Sequence, residues 1–170
     1  MTDFVLPFAP DWDSRVLDNY GRACLFHRDA SLADAVQHCR SRLCYLATPF
    51  PAQSDYIDGQ WCAASAVESS VRASRWLRLL AVEGLTAVSP VSQAVELVQA
   101  DHVDQQLDPM DDAFWTLWAR PLLFACGAVI VPQVPGWRDS DAVWRDVRAA
   151  LHVSRSVFLI RSGEEFGGAA

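Results

Sequence analysis

Along this chain of 170 residues, short apolar runs alternate with longer stretches whose apolar residues recur at helical spacing. Leu43 to Thr48 (Leu-Cys-Tyr-Leu-Ala-Thr) is nearly continuous in apolar character and stops at Pro49-Phe50-Pro51, as expected for a strand buried on both faces of a parallel sheet. Leu85 to Val88, Val129 to Val131 and Ser156 to Ile160 read the same way. Between them lie helical patterns. Gln60 to Val82 sets Val67, Val71, Leu77 and Leu80 near one face and Arg72, Arg75 and Arg78 on the other, with Gly84 just past the end. Ser92 to Leu107 holds an apolar stretch compatible with a helix, and Phe114 to Phe124 carries Trp115, Trp118, Leu122 and Leu123. After Pro132, Pro135 and Gly136 make a turn, Asp139 or Ser140 caps a helix whose Val143, Val147 and Leu151 recur at i, i+4 and i+8. This alternation predicts an α/β fold: a single doubly wound, mainly parallel sheet of four to five strands flanked by helices.

Four strands are visible, and the N-terminal arm has room for a fifth. Residues 1–41 read as an arm that packs on the domain, through Phe4, Leu6, Phe8 and Trp12, with a short helix capped by Ser31 and carrying Leu32, Val36 and Cys39. Residues 42–162 form the α/β domain and residues 163–170 a Gly-rich, frayed tail.

Composition narrows the function classes. A net charge of −7 and a pI near 4.9 leave no long-range attraction for a phosphate backbone, so nucleic acid is not an expected partner. All 14 cationic side chains are Arg, which excludes a Schiff-base lysine and a P-loop lysine. No run approaches the roughly 18 apolar residues of a membrane span, and the start lacks a signal-peptide pattern. Five widely spaced cysteines without a C-x-x-C pair suggest reduced thiols and a cytoplasmic protein. His27 and His38 have no accompanying ligand pattern. Asp101, Asp104, Asp108, Asp111 and Asp112 match no calcium loop, and a solvated acidic face is the expectation. The strand-to-helix turns show neither G-x-G-x-x-G nor a Ser/Thr-rich phosphate loop, so no cofactor is implied and a flavin-carrying variant of the fold is the weaker reading.

In open α/β sheets ligands bind beyond the carboxyl ends of the strands, which directs attention to Pro135 to Asp141. Asp146 lies beside the apolar stripe of the following helix rather than opposite it, and a carboxylate half buried there is paired or functional. Three segments in order, Tyr45-Leu46-Ala47-Thr48-Pro49-Phe50, Ser89-Pro90-Val91 and Pro135-Gly136-Trp137-x-x-Ser140, resemble an uncharacterised bacterial family that looks like a branch of the nucleoside 2-deoxyribosyltransferase-like superfamily. The resemblance covers about residues 43 to 161. It implies cleavage or exchange of an N-glycosidic bond, with a helix carboxylate attacking the anomeric carbon and a strand tyrosine beside it. It also implies a homo-oligomer.

Carried over residue by residue, the resemblance makes Asp146 the nucleophile, where the family has glutamate, and Tyr45 its orienter. Pro49, Phe50, Ser89, Gln93, Gly136, Trp137, Arg138 and Ser140 become substrate-binding residues, with Arg138 suited to a phosphate because its fork bonds oxygens bidentately. Ala142 stands where the family has glycine, Ala119 and Gly127 where it has aspartates, and Gln93 where relatives tend to have histidine. Two functions follow. One is an N-glycosidase or deoxyribosyltransferase acting on a nucleoside or nucleotide-like small molecule. The other is a catalytically degenerate binding or protein-interaction module that keeps the fold, mildly favoured by seven tryptophans, some of which must reach the surface.

Overall fold

A computed structural model describes residues 5–50, 63–101 and 103–163. Its elements run α1 (Arg15–Arg22), β1 (Phe26–Ala30), α2 (Leu32–Cys39), β2 (Leu43–Leu46), α3 (Ala63–Val82), β3 (Thr86–Val88), α4 (Pro90–Ala100), α5 (Asp112–Ala125), β4 (Ala128–Pro132), α6 (Asp141–His152) and β5 (Ser156–Ile160). The strands pair in the order β1-β5-β4-β2-β3, and every neighbouring pair is parallel. The α/β sheet expected from the alternation is therefore present with five strands. The fifth, β1, comes from the segment before residue 41.

Strand periodicity sorts the core into two layers, because successive side chains leave opposite faces. Tyr45, Val129, Val131, Val157 and Leu159 face α1, α5 and α6. Cys44, Leu46, Ile130, Phe158 and Ile160 face α2 and α3. Helices thus cover both faces, which is why β4 is apolar and buried at each of its positions. Charged Arg28 and Asp29 sit in β1 at the sheet's edge, where charge discourages pairing with another chain.

The chain leaves β2 toward β3 on one side and returns to β4 on the other, so the sheet changes direction between β2 and β4. A crevice opens at the carboxyl ends of such a strand pair. Here Pro49, following β2, faces Gly136, following β4, and a Cβ on Gly136 would meet Pro49 Cγ at 3.9 Å. Gly136 itself has φ +81°, a left-handed conformation that glycine adopts without strain.

Several helix expectations need correction. In α3 the buried residues are Ala66, Ala73, Trp76 and Leu80, the last three in the layer against the sheet, whereas Val67 and Val71 are exposed. Small alanines let the helix approach the sheet closely, and Trp76 supplies the apolar area that the valines were expected to give. Gln60 and Trp61 lie outside the described residues. Pro90 occupies the first turn of α4, where its missing N–H costs nothing, and Ser89 caps that helix. The helix α1, capped by Ser14, buries Leu17 alone, too little for a sequence stripe. In the arm, Leu6 and Trp12 are buried while Phe8 is exposed and lies under the Arg148 guanidinium.

Candidate functional site

Tyr45 enters the layer beneath α6 because it alternates with Cys44 and Leu46, which point to the other face. Asp146 follows Val143 by three residues on α6, at the border of the stripe that packs on the sheet. The two meet: the Tyr45 hydroxyl donates to Asp146 Oδ2 at 2.9 Å. Tyr45 is 1% exposed. Burial raises the Asp146 pKa from 3.8 to about 7, opposed by the Tyr45 hydrogen bond and then by the Arg145 charge. Burial and the neighbouring carboxylate hold the Tyr45 hydroxyl well above its ordinary pKa, so it stays a donor.

The pair borders a cleft of ≈ 860 Å³ at the β2–β4 switch point. One wall is α5, whose Asp112, Trp115, Thr116 and Ala119 fall at i, i+3, i+4 and i+7 and so share a helical face. Trp115 and Trp118, expected as core or interface, both line this wall. Glu68 and Arg72 of α3, joined by an ion pair at 2.9 Å, also line the cleft. Across the rim, Arg145 of α6 donates from both terminal nitrogens to the two Asp112 oxygens of α5, each at 2.7 Å. That clasp ties α5 to α6, the helix that carries Asp146.

The sequence-derived site divides. Tyr45, Pro49, Phe50, Gly136, Ser140 and Asp146 all line the cleft. Ser140 also caps α6, accepting from the Val143 N–H at 3.3 Å. Ser89, Gln93, Trp137 and Arg138 do not line it. Ser89 is buried and its hydroxyl accepts from the Ser92 N–H, so it serves α4 as a cap. Gln93, in the first turn of α4, donates its backbone N–H to the Ser89 carbonyl. Trp137 packs edge-on against Trp12 with ring centroids 4.7 Å apart. Arg138 is ion-paired with Asp13, and its carbonyl accepts from the Trp12 indole at 2.8 Å.

The two positions where the resemblance expects aspartates are also separated. Ala119 lines the cleft. Gly127 sits at the start of β4, at the opposite end of the strand from the crevice, and a Cβ there would come within 3.2 Å of the Arg42 side chain. A carboxylate at 127 could not reach this cleft. Two turns before Ala119 on the same helical face, Asp112 supplies an acid instead.

Sequence reasoning missed Thr48, Thr116 and Arg145. The hydroxyls of Thr48 and Thr116 are buried without a hydrogen-bond partner among the described residues, and both residues line the cleft. The polar positions of α5 sharing one helical face were the available signal. Among the described residues no group of three or more His, Cys, Asp and Glu side chains is arranged to hold a metal ion. The acidic run before α5 is spent on local turns: Asp101 accepts from the Leu107 N–H, Asp108 from Met110 and Asp111 from Phe114. No described helix is long and apolar enough to cross a membrane.

No curated protein and no solved structure matches this chain. The profile of a family described as a domain of unknown function, DUF1937, matches residues 42–162, a segment that holds Tyr45, Asp146 and both ends of the β2–β4 crevice. With more than half of its length inside that profile, the chain belongs to the DUF1937 family.

Proposed function

We propose that this protein binds a nucleoside or nucleotide-like small molecule in the β2–β4 cleft and cleaves its N-glycosidic bond, with Asp146 as nucleophile. The observation that carries the reading is the Tyr45–Asp146 pair, a carboxyl with a pKa near 7 on the wall of a cleft of ligand size. In the first step an Asp146 oxygen forms a bond to the anomeric carbon while the carbon–nitrogen bond breaks. The base leaves with that electron pair and takes a proton from solvent. Water, or a second base in an exchange reaction, then attacks the same carbon and frees the carboxylate. Tyr45 acts through Asp146, fixing its orientation and favouring its ionised form. The proposal extends the likeness to the nucleoside 2-deoxyribosyltransferase-like superfamily, in a cytoplasmic homo-oligomer; Leu117 on the outer face of α5, 65% exposed, is a natural contact for a second copy.

The test is release of free base from nucleosides and deoxynucleoside monophosphates, followed by chromatography for the wild type and Asp146→Ala. Release abolished in the variant supports the reading. A second reading, a binding module without turnover, is favoured by Ala119, which leaves a methyl group on the cleft wall where the resemblance expects a carboxylate. Ligand-induced thermal stabilisation with no base release across the panel selects it.

A further inference from the structure

The cleft carries more negative than positive charge. Among the described residues lining it are five carboxylates, Glu68, Asp112, Asp139, Asp141 and Asp146, against two guanidiniums, Arg72 and Arg145. Both cations are already engaged. Arg72 donates to Glu68 at 2.9 Å, and Arg145 holds both oxygens of Asp112. The N-terminus of α6, whose dipole would otherwise attract an anion, is flanked by Asp139 and Asp141. Arg138, the cation best placed by sequence to meet a phosphate, lies outside the cleft and pairs with Asp13. A phosphate entering here must displace a carboxylate from its guanidinium and then sit in the field of the acids that remain.

Two neutral hydroxyls in the same walls have no partner among the described residues. Thr48 is 6% exposed, lies two residues past the end of β2 and lines the same cleft as Tyr45. Its hydroxyl, and that of Thr116 on α5, have no hydrogen-bond partner among the described residues. Buried hydroxyls are nearly always paired, and such an exception asks for an explanation. A ligand hydroxyl or ring nitrogen in the cleft supplies one.

We infer that the cleft selects an uncharged glycoside, an unphosphorylated nucleoside rather than its 5′-monophosphate, and that Thr48 and Thr116 hydrogen-bond to it. This inference rests on the nucleoside reading above and narrows its substrate class. Arg138 then belongs to the anchoring of the N-terminal arm and takes no part in substrate recognition.

Isothermal titration of the full chain at fixed ionic strength and pH 8, with adenosine, cytidine and their 2′-deoxy forms, each against its 5′-monophosphate, tests the claim. The expected result is a nucleoside Kd at least about tenfold below that of the matching monophosphate. Thr48→Val and Thr116→Val keep the shape and remove the hydroxyl. Each is expected to raise the nucleoside Kd by about tenfold while the free protein melts no lower than wild type, a combination that a purely structural hydroxyl does not give. Monophosphates binding as tightly as nucleosides overturn the charge selection and leave the glycoside reading standing. Unchanged Kd in both threonine variants overturns their assigned role. Binding of neither class, with no base released, overturns the inference and the function proposed above together.

Discussion

Tyr45 and Asp146 are separated by 101 positions in the chain and joined by one 2.9 Å hydrogen bond between the sheet and the helix above it. The bond exists only when β2 and α6 are docked, so the properties of the carboxyl report directly on the folded state. Its raised pKa has a sign that can be measured. The unfolded chain holds Asp146 near 3.8 and the folded chain near 7, so the native state binds the proton more tightly. The resulting contribution to stability is fully present below about pH 4 and is lost as pH rises through about 7.

Asp146→Asn keeps an acceptor for Tyr45 and removes the titration. The variant is expected to match wild type near pH 4 and to exceed it above pH 7, by at most about 4 kcal/mol for a shift of roughly three pKa units. Urea unfolding across pH 4 to 8 measures the gap. A gap that stays constant with pH means that Asp146 titrates normally in the folded protein.

Tyr45→Phe removes the hydroxyl from a position that is 1% exposed and leaves the ring in place. Because that hydrogen bond opposes the effect of burial, the Asp146 pKa is expected to move above 7. The stability loss at pH 8 should be about 1.5–3 kcal/mol, the range for a bond to a charged group, and smaller below pH 5 where the carboxyl is neutral. A carbon-detected carboxyl titration gives the pKa shift, and the acid limb of any base-release profile should move with it.

How much of this was readable beforehand depends on whether a residue's environment is local. Asp146 is legible within its own element because it lies beside an apolar stripe, whereas Tyr45 is one more apolar-strand residue and is marked only by the family resemblance. Arg138, whose fork suits a phosphate, pairs with Asp13 125 positions earlier, and no local pattern predicts that pairing. Ser89, which the resemblance offers as a ligand contact, precedes a proline and caps α4, a place where serine is common. The strand β1, Phe-His-Arg-Asp-Ala, buries only its two ends, so alternation had nothing to show. In α3 the buried face includes two alanines, Ala66 and Ala73, which carry a weaker sequence signal than the exposed Val67 and Val71. The crevice itself is a property of strand order, and order is set by long-range pairing that no single segment encodes.

Arg145 and Asp112 should tune Asp146 in opposite directions. Arg145 lowers its pKa and Asp112 raises it, so Arg145→Ala is expected to shift the carboxyl upward and Asp112→Ala downward. The ion pair is partly exposed, and a double-mutant cycle should assign it only about 0.5–1 kcal/mol of stability. Shifts of the same sign in both variants mean that the clasp acts by holding α5 against α6 and that its charges do not govern Asp146.

Trp12 ties the arm to the loop that follows β4. Its indole donates to the Arg138 carbonyl at 2.8 Å, and its ring meets Trp137 and Trp144 edge-on at 4.7 and 4.9 Å. Trp12→Ala removes both and is expected to cost about 3–5 kcal/mol, the range for emptying a buried aromatic site. Trp12→Phe keeps a ring and loses the hydrogen bond, leaving the Arg138 carbonyl without its donor, for about 1–3 kcal/mol. The two variants separate packing from pinning. If the indole bond holds the turn that carries Gly136 and Ser140 over the cleft, amide exchange in residues 134–140 should quicken in the phenylalanine variant while β4 stays protected. Equal protection of that turn in the phenylalanine variant and wild type would leave Trp12 a packing residue with no hold on the cleft.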